Sequence, residues 1–281
     1  MKEVSKGQII EVLKVIGVLP GDGLLVHSAL QFLGRPVGDV GMYLEALCET
    51  VNCDLGIRNY EIGDGQEDAQ SLIRNSQFAF GTIAVPTFNF AFARGEPYDP
   101  ENTPSVGMGA FSEYVRGQPA AQRTSHPLQS LALLGAYASD LASRDTPSAF
   151  DPDSAFARMV ELDFKILLLG ADIDAISLLH YSEQRLNVPY RYWKDFTGLV
   201  KTPSGWEERT YRMFARDLDL NPHLTLHPVR DYLLEIGQYH SLSVNYGQVA
   251  LIRMSDFVRA VDHFLAADPY SLMLNRPDID P

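Results

Sequence analysis

Lys165-Ile-Leu-Leu-Leu169, followed by Gly170-Ala-Asp-Ile-Asp-Ala-Ile-Ser-Leu-Leu-His180-Tyr-Ser-Glu183-Gln-Arg-Leu-Asn-Val-Pro-Tyr190-Arg191, is the stretch whose reading decides the fold class. Its first five residues form an apolar run of strand length, after which Ile176, Leu179 and Leu186 repeat at helical spacing. A buried strand that delivers a helix is the building unit of an α/β fold. Asp172, Asp174 or Ser177 is placed to cap the helix's first turn, and Pro189 to stop it. The polar side chains near its start are therefore expected beside the strand's carboxyl end, the edge at which open α/β sheets bind their ligands. His180 and Glu183 stand three residues apart on one helical face, so the imidazole and the carboxylate are within reach of each other. That is how a general base meets its orienting partner, although such a pair on a helix is more often structural than catalytic.

The bulk of the chain fits that class. At 281 residues it is long enough for one sizeable α/β domain, and its 46% hydrophobic and 21% charged residues are those of an ordinary globular protein. Lys+Arg 23 against Asp+Glu 36 gives a net charge of -13 with no basic cluster, so binding to nucleic acid or to an anionic membrane has no electrostatic support. A cationic small molecule would be attracted. The two cysteines, Cys48 and Cys53, suit neither a disulfide framework nor a cysteine-based zinc site, which points to a reducing compartment. No signal core and no apolar run of spanning length is present, so a cytoplasmic location is expected.

Outward from the central stretch, further strands and helices alternate. Residues 5–18 read as a helix, Leu24-Leu-Val26 as a strand that runs into His27-Ser28-Ala29, and 39–51 as a second helix. From Asn52 to Phe78 the chain is polar and glycine-containing, an insertion of about 52–78 that suits a flap, a short helix near 67–75 or an oligomer contact such as a homodimer's. Thr82-Ile-Ala-Val85 is a core strand closed by Pro86, and the aromatic run Thr87 to Phe92 follows it, suited to walling a pocket or to pinning a loop. Ser105 is placed to cap a helix whose early Gly107 and Gly109 would admit a ligand to free N–H groups. Arg123, Ser125, His126 and Ser130 form a polar cluster before the strand 131–134, and the planar fork of Arg123 suits a phosphate. Ser154 ends a capping stretch for the helix 155–162, and 209–215 alternates as an antiparallel strand does. A helix at 227–236, a strand at 249–252 and a last helix capped by Ser255 complete the chain. No linker or repeat divides it, so residues 1–281 are expected to form a single domain.

Four of these stretches, in this order, resemble the aminoglycoside 3-N-acetyltransferase family: Leu25-Val-His27-Ser28, Gly81-Thr-Ile-Ala-Val-Pro86-Thr87, Arg123-Thr-Ser-His126-Pro127-Leu-Gln-Ser130, and Leu179-His180-Tyr-Ser-Glu183 continuing to Val188-Pro189-Tyr190-Arg191. The resemblance implies an α/β fold of three α/β/α layers around a central mixed sheet, acetyl-CoA or another acyl-CoA as cosubstrate, and the amine of an amino sugar as acceptor. It implies His180 as general base, Glu183 as the carboxylate that orients it or touches the acceptor, and Thr87 as donor to the thioester oxygen. His27, Ser28 and Ala29 would lie along the pantetheine arm. Ser105, Arg123, Ser125 and Ser130 would hold the nucleotide end, with Tyr190 and Arg191 on the acceptor side. Family members that modify aminoglycosides resemble Leu-His-x-Ala-Glu at the central helix, where this chain has Ser182. Its continuation from Gln184 to Gly198 looks more like relatives associated with surface polysaccharide biosynthesis.

Three other classes compete with this reading. A metal enzyme would need more ligands than His180 and Glu183 offer, and no His-Glu-x-x-His or His-x-His spacing is present, so no metal is expected. A serine hydrolase would use His180, but no Gly-x-Ser-x-Gly elbow is present. A non-catalytic protein that binds coenzyme A or a sugar would keep the same pocket without the reaction.

Overall fold

The computed structural model describes residues 2–53 and 80–276, so the insertion expected at 52–78, with its short helix near 67–75, lies outside the described residues apart from its first two. In chain order the elements are β1 (Glu3–Val4), α1 (Lys6–Val15), β2 (Gly23–Ser28), β3 (Arg35–Pro36), α2 (Gly41–Val51), β4 (Thr82–Pro86), α3 (Gly109–Arg116), β5 (Gln122–Arg123), β6 (Leu131–Gly135) and α4 (Ala138–Ala142). Then follow α5 (Ala155–Glu161), β7 (Lys165–Leu169), α6 (Leu179–Arg185), β8 (Arg191–Thr202), β9 (Gly205–Arg216), α7 (His227–Glu235), β10 (His240–Val244), β11 (Gly247–Arg253) and α8 (Met254–Ala267).

Seven strands make one mixed sheet in the order β10-β11-β7-β2-β4-β6-β5. β2 runs parallel to both β7 and β4, while the flanking pairs are antiparallel. The apolar runs have their cause in this position. Along β2, Leu24 and Val26 pack into one core cluster and Leu25 into the other; Ile166 and Leu168 of β7 likewise oppose Leu167 and Leu169. Both faces of the central strands are thus covered, which removes the polar alternation of a half-exposed strand. Helices α1, α2 and α3 cover one face and α4, α5, α7 and α8 the other. The three-layer α/β/α arrangement with a central mixed sheet is therefore as expected. Among the described residues no helix is long and apolar enough to cross a membrane.

Several local expectations need correction. Asp172 caps only a single tight turn, Ile173–Ala175, by accepting from the Asp174 N–H; Ile176 is extended, and α6 starts at Leu179 with no side-chain cap. The chain leaves α6 at Asn187 (φ 49°), two residues before Pro189, with the Val188 N–H donating back to the Glu183 carbonyl. Ser105 caps nothing: α3 starts at Gly109, and the Ser105 N–H donates to the Glu113 carboxylate. Ser255 is likewise not a cap, since α8 starts at Met254 and the Ser255 N–H donates to Asp163. The strand at 209–215 is part of a separate hairpin in which all twelve residues of β8 pair with β9. That hairpin packs Val200 and Tyr211 on Phe92, Tyr98 and Leu128, a third small core.

Candidate active site

The parallel strands β2, β4 and β7 end at Ser28, Pro86 and Leu169, so the segments that follow all start from one edge of the sheet. Gly170 makes the departure from β7 possible. Its φ is +77°, and a Cβ there would come within 2.6 Å of the Ala29 carbonyl oxygen. The Ala29 N–H in turn donates to the Leu169 carbonyl at 3.0 Å. His27 is buried at the end of β2, its Nε2 has no hydrogen-bond partner, and burial pushes its pKa down to about 4. Ser28 faces the start of α3, where Gly109 (φ +83°) would bring a Cβ within 3.9 Å of the Ser28 hydroxyl. The expected contacts of the acyl arm, His27, Ser28 and Ala29, therefore share this edge with the loop that leads to His180.

On α6, His180 Nδ1 lies 2.6 Å from Glu183 Oε2. The Glu183 side chain is 0% exposed, while that of His180 is 32% exposed. The other carboxylate oxygen of Glu183, Oε1, lies 2.9 Å from Arg191 Nε, an ion-pair contact whose N–H is not aligned for a hydrogen bond. Arg191 Nη1 also donates to the Phe214 carbonyl. Burial by itself raises the Glu183 pKa, but the hydrogen bond and charge of His180, with the charge of Arg191, outweigh it and hold the carboxyl below its ordinary value. Tyr190 is fully buried beside this pair, its hydroxyl unpartnered, and burial followed by the Glu183 charge drives its pKa up. Tyr190 and Arg191 thus back the carboxylate, whereas the resemblance placed them on the acceptor side.

A second cluster gathers around Arg123. Its Nε donates to the hydroxyls of Thr87 and Ser130, both at 3.1 Å, Nη2 donates to the Thr87 carbonyl at 2.6 Å, and Nη1 reaches the carbonyls of Pro100 and Thr103. The guanidinium also lies over the Tyr98 ring, 5.2 Å from its centre. The Thr87 and Ser130 hydroxyls lie 3.0 Å apart, and Ser130 Oγ also lies within 2.9 Å of the Thr87 carbonyl. Two expectations change here. Nε, Nη1 and Nη2 of Arg123 all donate to protein carbonyls or hydroxyls, where the resemblance places the guanidinium on the nucleotide end. The Thr87 side chain is fully buried and its hydroxyl is in contact with Ser130 and Arg123, where the resemblance places it at the thioester oxygen. Ser125 is half-buried close by in sequence, and the buried Ser105 hydroxyl has no partner.

Sequence reasoning missed the groups that brace α6 from outside. The edge of the Phe150 ring meets the His180 ring, with centroids 5.8 Å apart. Ser148 donates to Gln184 Oε1, and the Gln184 amide donates to Asp151. Asp151 was legible only as part of a capping stretch. Among the described residues, Asp172, Asp174 and His227 could bring three ligand atoms within 4.8 Å of one another, all exposed. Their carboxylates already receive the Asp174 and Leu226 N–H groups, which ties the turn after Gly170 to the start of α7.

The sequence profile of the family described as Aminoglycoside 3-N-acetyltransferase matches residues 25–266. Aminoglycoside N(3)-acetyltransferase VIII of Streptomyces fradiae is 30% identical over 221 residues, 77% of this chain and 72% of that protein. Aminoglycoside N(3)-acetyltransferase III of a Salmonella species is 27% identical over 262 residues, 89% of this chain and 87% of that protein. A solved structure described as AAC-IIIb binary with CoASH superposes with a TM-score of 0.75 across 100% of both chains at 20% identity, a likeness of fold. The profile covers most of the chain, including the sheet edge and the His180–Glu183 pair, and so the chain belongs to the aminoglycoside 3-N-acetyltransferase family of acyltransferases.

Proposed function

We propose that the protein moves an acetyl group from acetyl-CoA to the amine of an amino sugar by direct attack, with His180 as general base. The observation that carries this reading is the contact between His180 Nδ1 and the buried Glu183, which leaves Nε2 of a partly exposed ring without a protein partner among the described residues. An amine on a sugar is mostly protonated near neutral pH and cannot attack until it loses a proton. Nε2 takes that proton, the amine nitrogen bonds to the thioester carbonyl carbon, and as the C–S bond breaks the nitrogen's second proton passes to the departing sulfur, which releases coenzyme A as its thiol. A positioned base supplies about 10²–10⁴-fold of such a rate. His27, Ser28 and Ala29 lie on the edge along which the acyl arm would run. Cys48 and Cys53, the only cysteines, are both buried, which favours direct transfer over an acyl-cysteine intermediate.

An aminoglycoside acceptor is the second reading, favoured by the net charge of -13, which attracts polycations, and by the substrate named for the Streptomyces fradiae relative. The relatives above are named for aminoglycoside transfer, and none for polysaccharide pathways. The test is thiol release from acetyl-CoA and longer acyl-CoAs against aminoglycosides and nucleotide-linked amino sugars, with His180→Ala alongside. Release that depends on one acceptor class and falls by about 10²-fold or more in the variant supports the reading. Undiminished turnover in His180→Ala removes the base. Hydrolysis of simple esters without acyl-CoA would instead favour the serine hydrolase.

A further inference from the structure

We propose that Arg191 is a positioning residue that sets the proton affinity of the His180–Glu183 pair, cancelling the buried carboxylate charge so that the imidazole is free to accept a proton at neutral pH. This rests on His180 being the base. Arg191 is 10% exposed and opens β8, where the register with β9 fixes its backbone and the Phe214 carbonyl holds its Nη1. Its Nε lies against Oε1 of Glu183 while His180 holds Oε2, so the carboxylate stands between two cationic-capable groups. Without the guanidinium, a carboxylate buried from water and 2.6 Å from an imidazole would favour the imidazolium, and the base would already hold its proton when substrate arrives. A fixed positive charge on the far oxygen opposes that uptake. Arginine suits the task because its own proton stays on across the working pH range.

The other groups around the pair do not supply this charge balance. Tyr190 contributes a neutral phenol, Phe150 a ring edge, and Ser182 a buried hydroxyl without a partner. From α8, Asp262 pairs with Arg185, and from the 148–151 segment Ser148 and Asp151 hold Gln184. Among the described residues, Arg191 is the arginine in contact with Glu183.

The test follows the titration of the His180 ring by NMR, which needs no acceptor, alongside the pH profile of kcat/KM for the best acceptor. In Arg191→Gln the pair takes its proton at a pH about one unit or more higher, so activity falls roughly tenfold on the acid side and recovers toward the alkaline plateau. Arg191→Lys, which keeps the charge, recovers most of that shift. An equal loss at every pH, or a His180 titration that does not move in Arg191→Gln, overturns the proposal. If Arg191→Gln does not fold, Glu183→Gln tests the same balance from the other side. With Arg191 uncompensated, His180 there titrates about one unit or more below an ordinary imidazole, and an ordinary value overturns the proposal. Full turnover in His180→Ala would instead refute the base assignment, with the titration still reporting the action of Arg191.

Discussion

Glu183 Oε2 lies 2.6 Å from His180 Nδ1, one turn along the same short helix, with the carboxylate closed off from solvent and the imidazole open to it. The arrangement fixes the tautomer: the proton on Nδ1 is donated to Glu183, and the lone pair on Nε2 faces outward. Glu183→Ala removes that orientation and leaves Arg191 uncompensated. The expected result is a kcat lowered by about tenfold or more, with a much smaller change in the KM for acyl-CoA. Steady-state kinetics with the acceptor saturating separates the two constants; a changed KM at constant kcat would place Glu183 in donor binding.

Arg123 reads in the sequence as a phosphate ligand and in the structure as an internal strut. Its five acceptors lie on three separate segments, around Thr87, Pro100–Thr103 and Ser130. Arg123→Ala leaves three carbonyls and two hydroxyls short of a donor, for an expected loss of at least about 3 kcal/mol. Arg123→Lys recovers little, because one ammonium cannot reach acceptors that the planar fork spans. Urea unfolding measures the loss. A normal midpoint together with a raised KM for acyl-CoA would return Arg123 to the donor site.

The sequence made the central sheet legible because burial on both faces leaves unbroken apolar runs, as at Leu24 to Val26 and Lys165 to Leu169. It made the His180–Glu183 pair legible because helical spacing alone brings those two together. β8 was missed for the opposite reason. Tyr192, Trp193, Lys194 and Asp195 are exposed, so no apolar periodicity marks the strand, and its order comes from β9 and from Phe92 and Tyr98, far away in sequence. β10 is an exposed edge strand with the same lack of signal. Arg123 and Arg191 share one feature: an arginine advertises a charge in the sequence, while the carbonyls and carboxylate that contact it are set by tertiary packing.

His27 and His126 make stability depend on pH. Burial lowers both from the ordinary 6.5 to about 4, so between those values the unfolded chain binds protons that the folded chain does not. Stability therefore rises with pH through the window from about 4 to 6.5 and is flat with respect to these groups above it. At pH 5 the two together cost on the order of 4 kcal/mol relative to pH 8. Glu183, held below its ordinary value, acts in the same direction: its contribution is present above the unfolded pKa of about 4.5 and is lost as pH falls through the folded value. Unfolding free energies from urea titrations at pH 8 and pH 5 should differ by this amount in the parent and by about half of it in His126→Gln. An equal difference in both would mean that His126 is charged when folded.

Gly170 joins the sheet to the segment that leads to α6. Its left-handed backbone turns the chain off β7, and the missing Cβ leaves room for the Ala29 carbonyl, whose own N–H is bonded to Leu169. In Gly170→Ala the new methyl, 2.6 Å from that oxygen, forces apart the two segments that carry His27 to Ala29 and the approach to His180. Strain of this kind costs about 2 to 4 kcal/mol. Because the displaced atoms are on the approach to His180, the proposed base, and not in the distant core, kcat should fall together with stability, even at a temperature where the variant is fully folded. Gly17, also at positive φ but with nothing within 4 Å of its Cβ, is the control. Gly17→Ala bears a backbone penalty alone and should keep full activity per folded molecule. Equal kcat in the two variants would show that the junction at Gly170 does not position His180.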